Sequence, residues 1–568
     1  MTLDALELPQ GYEVECDVCI VGAGAAGITI AHELRSEHLN VVLLESGGAR
    51  FETRTQDLAR GVVTGPSKHA PLHKYRQRRF GGTTTVWGGR CAPYDAIDFE
   101  TRPEVPYSGW PISKQDVDPY YERAHAYCDL GAYTYTVGEA LPDRPGEMIP
   151  GLGEGEVSTQ KIWRFSLPTH FGKKYAKALD AAPNVRILLH ANCLKISTTP
   201  NGRAVDLLEV ATLEQRSFTV RARYYVLAAG GLEVPRLLLL SDDVHPNGIG
   251  NGEGLVGKFY ISHLSGEFGP VLFTVPHEKI TWDYERTASG IYCRRTFSIA
   301  EEVRRREGLL NLRAILTHPP VADPRHRNSV LSAMYLAKNL MSHKLPPEYT
   351  RDLLEMTPYE QIAAHVANVL LHPVSLLRFS ADWLGRRIIP RRKLPSVVFE
   401  SPHNEYWLHF DAEQSPNAQS RVTLGDEEDD FGLKRLKVDY RYTASDVQSV
   451  VRSVEFIADA WKKAGVAHMD VDAHALTDQI HRRSTVGSHH IGTTRMGDSP
   501  VNGVVDTDCR VFGMSNLFVS SSSVFPTSSY ANPTLHIVAL AIRLADHLKY
   551  TSQVRTLEIG STVAGSNE

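Results

Sequence analysis

The feature that most constrains this chain lies near its start. Cys16-Asp17-Val18-Cys19-Ile20-Val21 is a short, mostly apolar run that gives way to Gly22-Ala23-Gly24-Ala25-Ala26-Gly27. Ile28 to Glu37 then patterns as a helix, and Val41-Val42-Leu43-Leu44 as a second buried strand closed by Glu45 and Ser46. Strand, glycine turn, helix and strand in that order make a β-α-β unit, which demands a parallel sheet. Each glycine has a separate reason. Gly22 permits the tight turn, Gly24 lets backbone approach a pyrophosphate, and Gly27 lets the helix lie close on the strand. The helix that Ala25 and Ala26 open presents unpaired N–H groups and a positive dipole end to that phosphate. Glu45 is placed to accept hydrogen bonds from the ribose of an adenosine.

The rest of the chain bounds the answer. At 568 residues and 42% apolar it is long enough for two to four units with large cores. The net charge of −5 is spread over mixed acidic and basic residues, so no nucleic-acid partner is expected. Seven cysteines are scattered, and Cys16 and Cys19, the one C-x-x-C pair, lie in a strand; reduced, buried thiols and no metal are expected. The acidic first fifteen residues do not read as a signal peptide, and no apolar run reaches the roughly 18 residues that span a bilayer, so a cytoplasmic location is expected. Gln361 to Arg392 mixes apolar residues with Arg386, Arg387, Arg391 and Arg392; it reads as a core-facing helix with a solvated side, and membrane contact is not expected.

Further along, Lys114 to Asp129 reads as a helix opened by Pro111-Ile112-Ser113, Val185 to Leu189 and Tyr224 to Ala228 as strands, and Gly230-Gly231 as the start of another helix. Alternation at Tyr406-Trp407-Leu408-His409-Phe410 predicts antiparallel strands. Asp446 to Ala464 is an amphipathic helix and Pro533 to Leu548 a last one, with the residues after Tyr550 fraying.

Five ordered segments resemble the glucose-methanol-choline (GMC) flavoprotein oxidoreductases. They are the β-α-β unit; Gly81-Gly82-Thr83-Thr84-Thr85-Val86-Trp87-Gly88-Gly89; Ala228-Ala229-Gly230-Gly231 with Pro235-Arg236-Leu237-Leu238-Leu239; Val256-Gly257-Lys258-Phe259 with His263; and the block from His489 to Leu535. The resemblance covers most of the chain, and its details at Asn532-Pro533-Thr534-Leu535 and Gly109-Trp110-Pro111-Ile112-Ser113 look most like the pyranose oxidase and sugar dehydrogenase branch.

That resemblance implies FAD. It implies a discontinuous Rossmann-like FAD-binding domain from residues 1–95, 185–265 and 487–550, an inserted α+β substrate domain on an antiparallel sheet from 96–184 and 266–486, and a flexible tail over 551–568. The residues it implies around the cofactor are Gly22, Gly24, Ala25, Ala26, Gly27, Glu45, Ser46, Gly81, Gly82, Thr83, Thr85, Val86, Trp87, Gly88, Gly89, Cys193, Ala229, Gly230, Ser522, Asn532, Pro533 and Thr534. Some sugar oxidases of the family carry a flavin-linked histidine where this chain has Val86; His69 and His73 are out of register, so non-covalent FAD is expected.

In Ser488-His489-His490-Ile491-Gly492-Thr493 the resemblance makes His489 the base, with Asn532 as its partner and His490 pointing elsewhere. The chemistry suits these types. An alcohol becomes a good hydride donor as its O–H is deprotonated, and imidazole has a fitting pKa. An amide can hold the alcohol oxygen without competing for the proton, while the flavin accepts the hydride. Asn532 could also cap the last helix before Pro533. His263 and His536 are expected to be structural.

The expected activity is FAD-dependent oxidation of an alcohol, secondary and belonging to a sugar, glycoside or polyol, with O2, a quinone or another acceptor taking the electrons. Two alternatives stand beside it: a lipophilic sterol or terpenoid alcohol with 361–392 as a membrane-facing lid, and a lyase that keeps its flavin structurally.

Overall fold

The computed structural model describes residues 1–166, 169–337, 359–396, 398–399, 401, 403–483 and 488–564. The expected boundary at 486/487 lies outside them.

The glycine-turn unit forms in the order read, with the strand starting earlier and the helix displaced toward the turn: strand Tyr12–Val21, helix Ala25–Leu34, in place of Ile28 to Glu37, and strand Val41–Leu44. It sits at the centre of an eight-stranded sheet in the order Thr2–Asp4, Val185–Leu189, Val41–Leu44, Tyr12–Val21, Ser217–Leu227, Val205–Ala211, Asn192–Thr198. Tyr12–Val21 runs parallel to both of its neighbours, which is why its last residues are apolar on both faces and fully buried. Leu517–Val519, from near the end of the chain, adds in parallel beside Tyr225 to Leu227.

A second eight-stranded sheet is antiparallel at every pairing. Its middle is His263–Phe273, Glu405–Glu413, Leu312–Thr317, Tyr292–Ile299 and Val157–Phe165. One face packs on helix Ala444–Ala464, whose Val447, Val450, Val454, Ile457 and Trp461 join Phe297, Phe268 and Leu408 in a separate apolar cluster. Thr443 and Asp446 cap that helix reciprocally, which fixes where it starts. The fold is therefore α/β, a Rossmann-like sheet with an α+β part on an antiparallel sheet.

Two helices from the stretch assigned by sequence to the substrate part go elsewhere. In Lys114–Tyr127 and Phe171–Ala181, Val117, Tyr121, Phe171 and Leu179 enter the same apolar cluster as Ile20, Ile30 and Val538 of the nucleotide part. Their apolar stripes face the first and last helices, a long-range choice that linear order does not disclose. A small third sheet joins the parts: Gly61–Val63 runs parallel to Lys434–Asp439, which pairs with Arg421–Glu428. The last helix runs Thr534–Ala564 and takes in residues 551–564 of the segment expected to be a flexible tail; the remainder lies outside the described residues.

Candidate active site

A cavity of about 1180 Å³ runs from the glycine turn to the antiparallel sheet. Its nucleotide end is made of backbone. Gly22 has φ +103°, and a Cβ there would meet the Ala228 carbonyl oxygen at 2.8 Å. At Gly24, Gly88 and Gly230 a Cβ would meet nothing within 4 Å, so these backbones border open space. The helix Ala25–Leu34 has no side chain capping its first turn, so its N–H groups are available to an anion in the cavity.

Most residues the sequence assigned to the cofactor line this cavity: Gly22, Gly24, Ala25, Ala26, Glu45, Ser46, Gly82, Thr83, Val86, Trp87, Gly88, Gly89, Cys193, Ala229, Gly230, Ser522, Asn532, Pro533 and Thr534. Three stand behind it. A Cβ at Gly27 would lie 1.9 Å from the Gly22 oxygen, so this glycine serves helix–strand packing. Gly81 turns the chain at φ +97°. Thr85 turns its hydroxyl to Arg79, whose Nε donates to it at 3.0 Å. Glu45 lines the cavity, but its carboxylate already accepts from the N–H groups of Ala23 (2.9 Å) and Gly47 (3.1 Å). Burial pushes its pKa up, against the pull of those two bonds.

The opposite end is made of side chains. Ile261 and Ile491 exchange backbone hydrogen bonds at 3.0 and 3.1 Å as an antiparallel bridge. In that register the residue two beyond Ile261 stands opposite the residue two before Ile491. These are His263 and His489, whose ring centres lie 4.8 Å apart, edge to face. The imidazole of His489 lines the cavity. Its pKa is held well below the ordinary histidine value, first by burial and then by the potentials of His263 and Arg90; at neutral pH it is an uncharged proton acceptor.

His263, expected to be structural, lines the same cavity. Its Nδ1–H donates to the Ser529 carbonyl at 3.0 Å, which leaves Nε2 as the lone-pair nitrogen, and that atom has no partner among the described residues. Burial takes its pKa down to about 4. His536 is not among the residues that line the cavity: it is fully buried, stacked on Tyr94 at 4.6 Å and bonded to Tyr121. His490 also lines the cavity, with its ring stacked nearly parallel to Tyr260.

Asn532 is not the helix cap. Ile537 N–H bonds to the Pro533 carbonyl, which makes Pro533 the capping position. The Asn532 side-chain oxygen instead accepts two bonds from Arg90, from Nε at 3.1 Å and Nη2 at 2.8 Å. Arginine can only donate, so the flip is settled: the amide N–H2 is the end left for the cavity. The Arg90 guanidinium carbon lies over the Trp163 ring, 4.3 Å from its centre, and the group pairs with Asp411 at 2.7 Å. Asp411 accepts from the Ser265 hydroxyl at 2.6 Å and stands 3.4 Å from His409. Burial would raise the Asp411 carboxyl, but Arg90 and His409 outweigh it and hold it well below the usual range. A chain of polar groups thus runs from Asn532 through Arg90 and Asp411 to His409, and on to Glu267 at 3.8 Å. Arg90, Asp411 and His263 are the residues sequence reading missed. Arg90 directly follows the Trp87-Gly88-Gly89 run, and its charge beside a glycine-rich turn was the one available signal.

Among the described residues no group of side chains could hold a metal, and all seven cysteines are free.

A family model described as FAD dependent oxidoreductase matches residues 17–250, and one described as GMC oxidoreductase matches residues 416–541. The chain is 38% identical to the dehydrogenase str4 of Strobilurus tenacellus, over 94% of each chain. It is 23% identical to a 2-methyl-1,2-propanediol dehydrogenase of Mycolicibacterium austroafricanum, over 94% of this chain and 95% of that one. Among solved structures, a formate oxidase superposes with a TM-score of 0.54 at 16% identity, covering 96% of this chain and all of the other. Open backbone at the glycines, an uncapped helix start and full-length relatives agree with one another: this chain belongs to the GMC oxidoreductases and is an FAD-dependent enzyme.

Proposed function

We propose that the enzyme oxidises a polyhydroxylated alcohol, a sugar, glycoside or polyol, at a secondary carbon, with His489 as the base and Asn532 as its partner. The observation that carries this is the polar chain beside them: Arg90, Asp411, His409 and Glu267 offer alternating donors and acceptors to a substrate with several hydroxyls. The relative named for 2-methyl-1,2-propanediol, a diol with one primary and one tertiary hydroxyl, and the fructose dehydrogenase large subunit of Gluconobacter japonicus, 22% identical over 94% of this chain, support the hydroxyl-rich class but not the choice of a secondary carbon.

Neutral His489 takes the hydroxyl proton, and the Asn532 amide donates to the oxygen as it gains charge. The Arg90 bonds hold that amide in the donating orientation throughout. Bound non-covalently, FAD supplies the hydride acceptor. Val86 lines the cavity without a nucleophile, and both ring nitrogens of His69 are engaged, by Tyr260 and the Ala70 carbonyl.

The test is anaerobic. Flavin absorbance is followed while sugars, glycosides, polyols and sterols are added in turn. Bleaching by the hydroxyl-rich compounds supports the reading; bleaching by sterols alone transfers it to lipophilic alcohols; no bleaching with FAD bound favours a lyase. A second reading, the lipophilic alcohol, is favoured by one observation: Ile315, Val321, Met334 and Val398 give part of the cavity wall an apolar face.

A further inference from the structure

The helix Tyr359–Leu371 is inside out. Its inward residues are polar: His365 is fully buried and Asn368 is 9% exposed. They are satisfied as a set. His365 Nε2–H donates to the Ala322 carbonyl at 3.3 Å, and its Nδ1 accepts from the Ser332 hydroxyl at 2.9 Å. Asn368 donates to the Pro324 carbonyl at 2.8 Å and to Ser332 at 3.1 Å. Its outward stripe at i, i+4 and i+8 is Ile362, Val366 and Leu370, with Leu370 72% exposed.

The next helix, Pro373–Trp383, follows at a bend of 78°. It adds Val374 and Leu377, the latter 70% exposed, while Leu384, Ile388 and Ile389 extend the same surface. Nine of the large exposed apolar side chains fall within Ile362 to Ile389, far more apolar surface than an isolated exposed leucine represents.

Charge says what covers it. Residues 361–393 carry six basic side chains against one acid, Asp382, in a chain whose net charge is −5. Arg378, Arg391 and Lys393 are exposed around the apolar tip. Trp383 stacks with Phe379 at 6.1 Å and lies under Arg387 at 5.8 Å, an aromatic and a cation at one level, as at a membrane interface. No single described helix is long and apolar enough to cross a bilayer; Gln361–Leu371 and Pro373–Ile388 reach that length and apolarity only together, and the 78° bend between them with the flanking cations favours lying in the interface. A second copy docking through this face would bring like charge to like charge.

We infer that Ile362–Ile389 docks the enzyme on an anionic lipid surface, its apolar tip among the acyl chains and Arg378, Arg391 and Lys393 at the headgroups. Leu376 and Phe379 pack against a small apolar cluster that also takes in Val321 and Met334, and those two residues line the cavity wall, so the docked face adjoins the site.

The experiment is co-sedimentation of the full-length, flavin-loaded protein with vesicles of phosphatidylcholine alone and of phosphatidylcholine mixed with phosphatidylglycerol. Binding to the anionic vesicles, weakened by added salt, is expected. Replacing Leu370, Leu377 and Ile389 together by Glu should abolish it with the flavin spectrum unchanged. Arg378→Gln, Arg391→Gln and Lys393→Gln should each weaken it by roughly fivefold. Absence of binding to anionic vesicles overturns the inference. So does binding that the Glu and Gln variants leave intact, or a dimer in solution that the Glu variant converts to monomer, since a second copy would then be the occupant.

Discussion

The two ends of the cavity are built on opposite principles. At the nucleotide end the critical groups are absences: Gly22, Gly24 and Gly27 matter because no side chain is there. At the His489 end the groups that line the cavity are side chains set against partners distant in sequence: Asn532 bonded to Arg90, Arg90 paired with Asp411, and the ring of His489 packed edge to face on His263. The first end should fail when atoms are added, all or none. The second should fail in degrees, as charges and hydrogen bonds are removed, while the cofactor stays.

The sharpest way to break that contrast is at Gly27. Gly27→Val places carbon where the Gly22 oxygen stands, so no folded, flavin-containing protein is expected; recovery of yellow, soluble protein would show that the turn can give way. His489→Ala comes next. Full flavin content with alcohol-driven bleaching slowed by about 10²–10⁴-fold is expected, read by anaerobic stopped flow.

Arg90→Gln should act in two ways. Loss of the charged donors on Asn532 costs about tenfold or more in the rate of bleaching. Removing a positive charge that disfavours the imidazolium also raises the His489 pKa. The parent, with His489 held well below its ordinary value, should stay active through neutral pH and lose activity only in acid. The variant's acid limb should move to higher pH, and a limb that stays put would disconnect Arg90 from the base. Arg90→Lys, which keeps charge but not the fork, should restore the limb more than the rate.

The smallest effect tests the boundary between lining and backing. Thr85 was assigned to the cofactor by sequence, yet its hydroxyl serves Arg79. Thr85→Ala should leave FAD affinity within a few-fold of the parent, measured by flavin release on dilution; a large loss would return Thr85 to the cavity.

What was legible in the sequence follows the same divide. The β-α-β unit, the Gly81–Gly89 wrap and the His489 block were readable because each states its requirement within a dozen residues. Arg90 and Asn532 lie 442 positions apart, and the pairing of His263 with His489 depends on one bridge between Ile261 and Ile491. Neither leaves a periodicity to detect. The segment 361–392 was visible as apolar and basic, but only the burial of His365 and Asn368 revealed which side of the helix faces in.

The strand Leu517–Val519, laid beside Tyr225 to Leu227 and so two places from the glycine-turn strand Tyr12–Val21, has a consequence for how the protein is made. The glycine-turn strand leaves the ribosome hundreds of residues before Leu517–Val519, which completes the same sheet. A nascent chain can form the glycine turn before Ser522, Asn532, Pro533 and Thr534, which complete the cavity wall hundreds of residues later, have been made. Enclosure of the cofactor therefore waits for the His489 block, and a chain cut short before that block keeps the turn and loses the chamber.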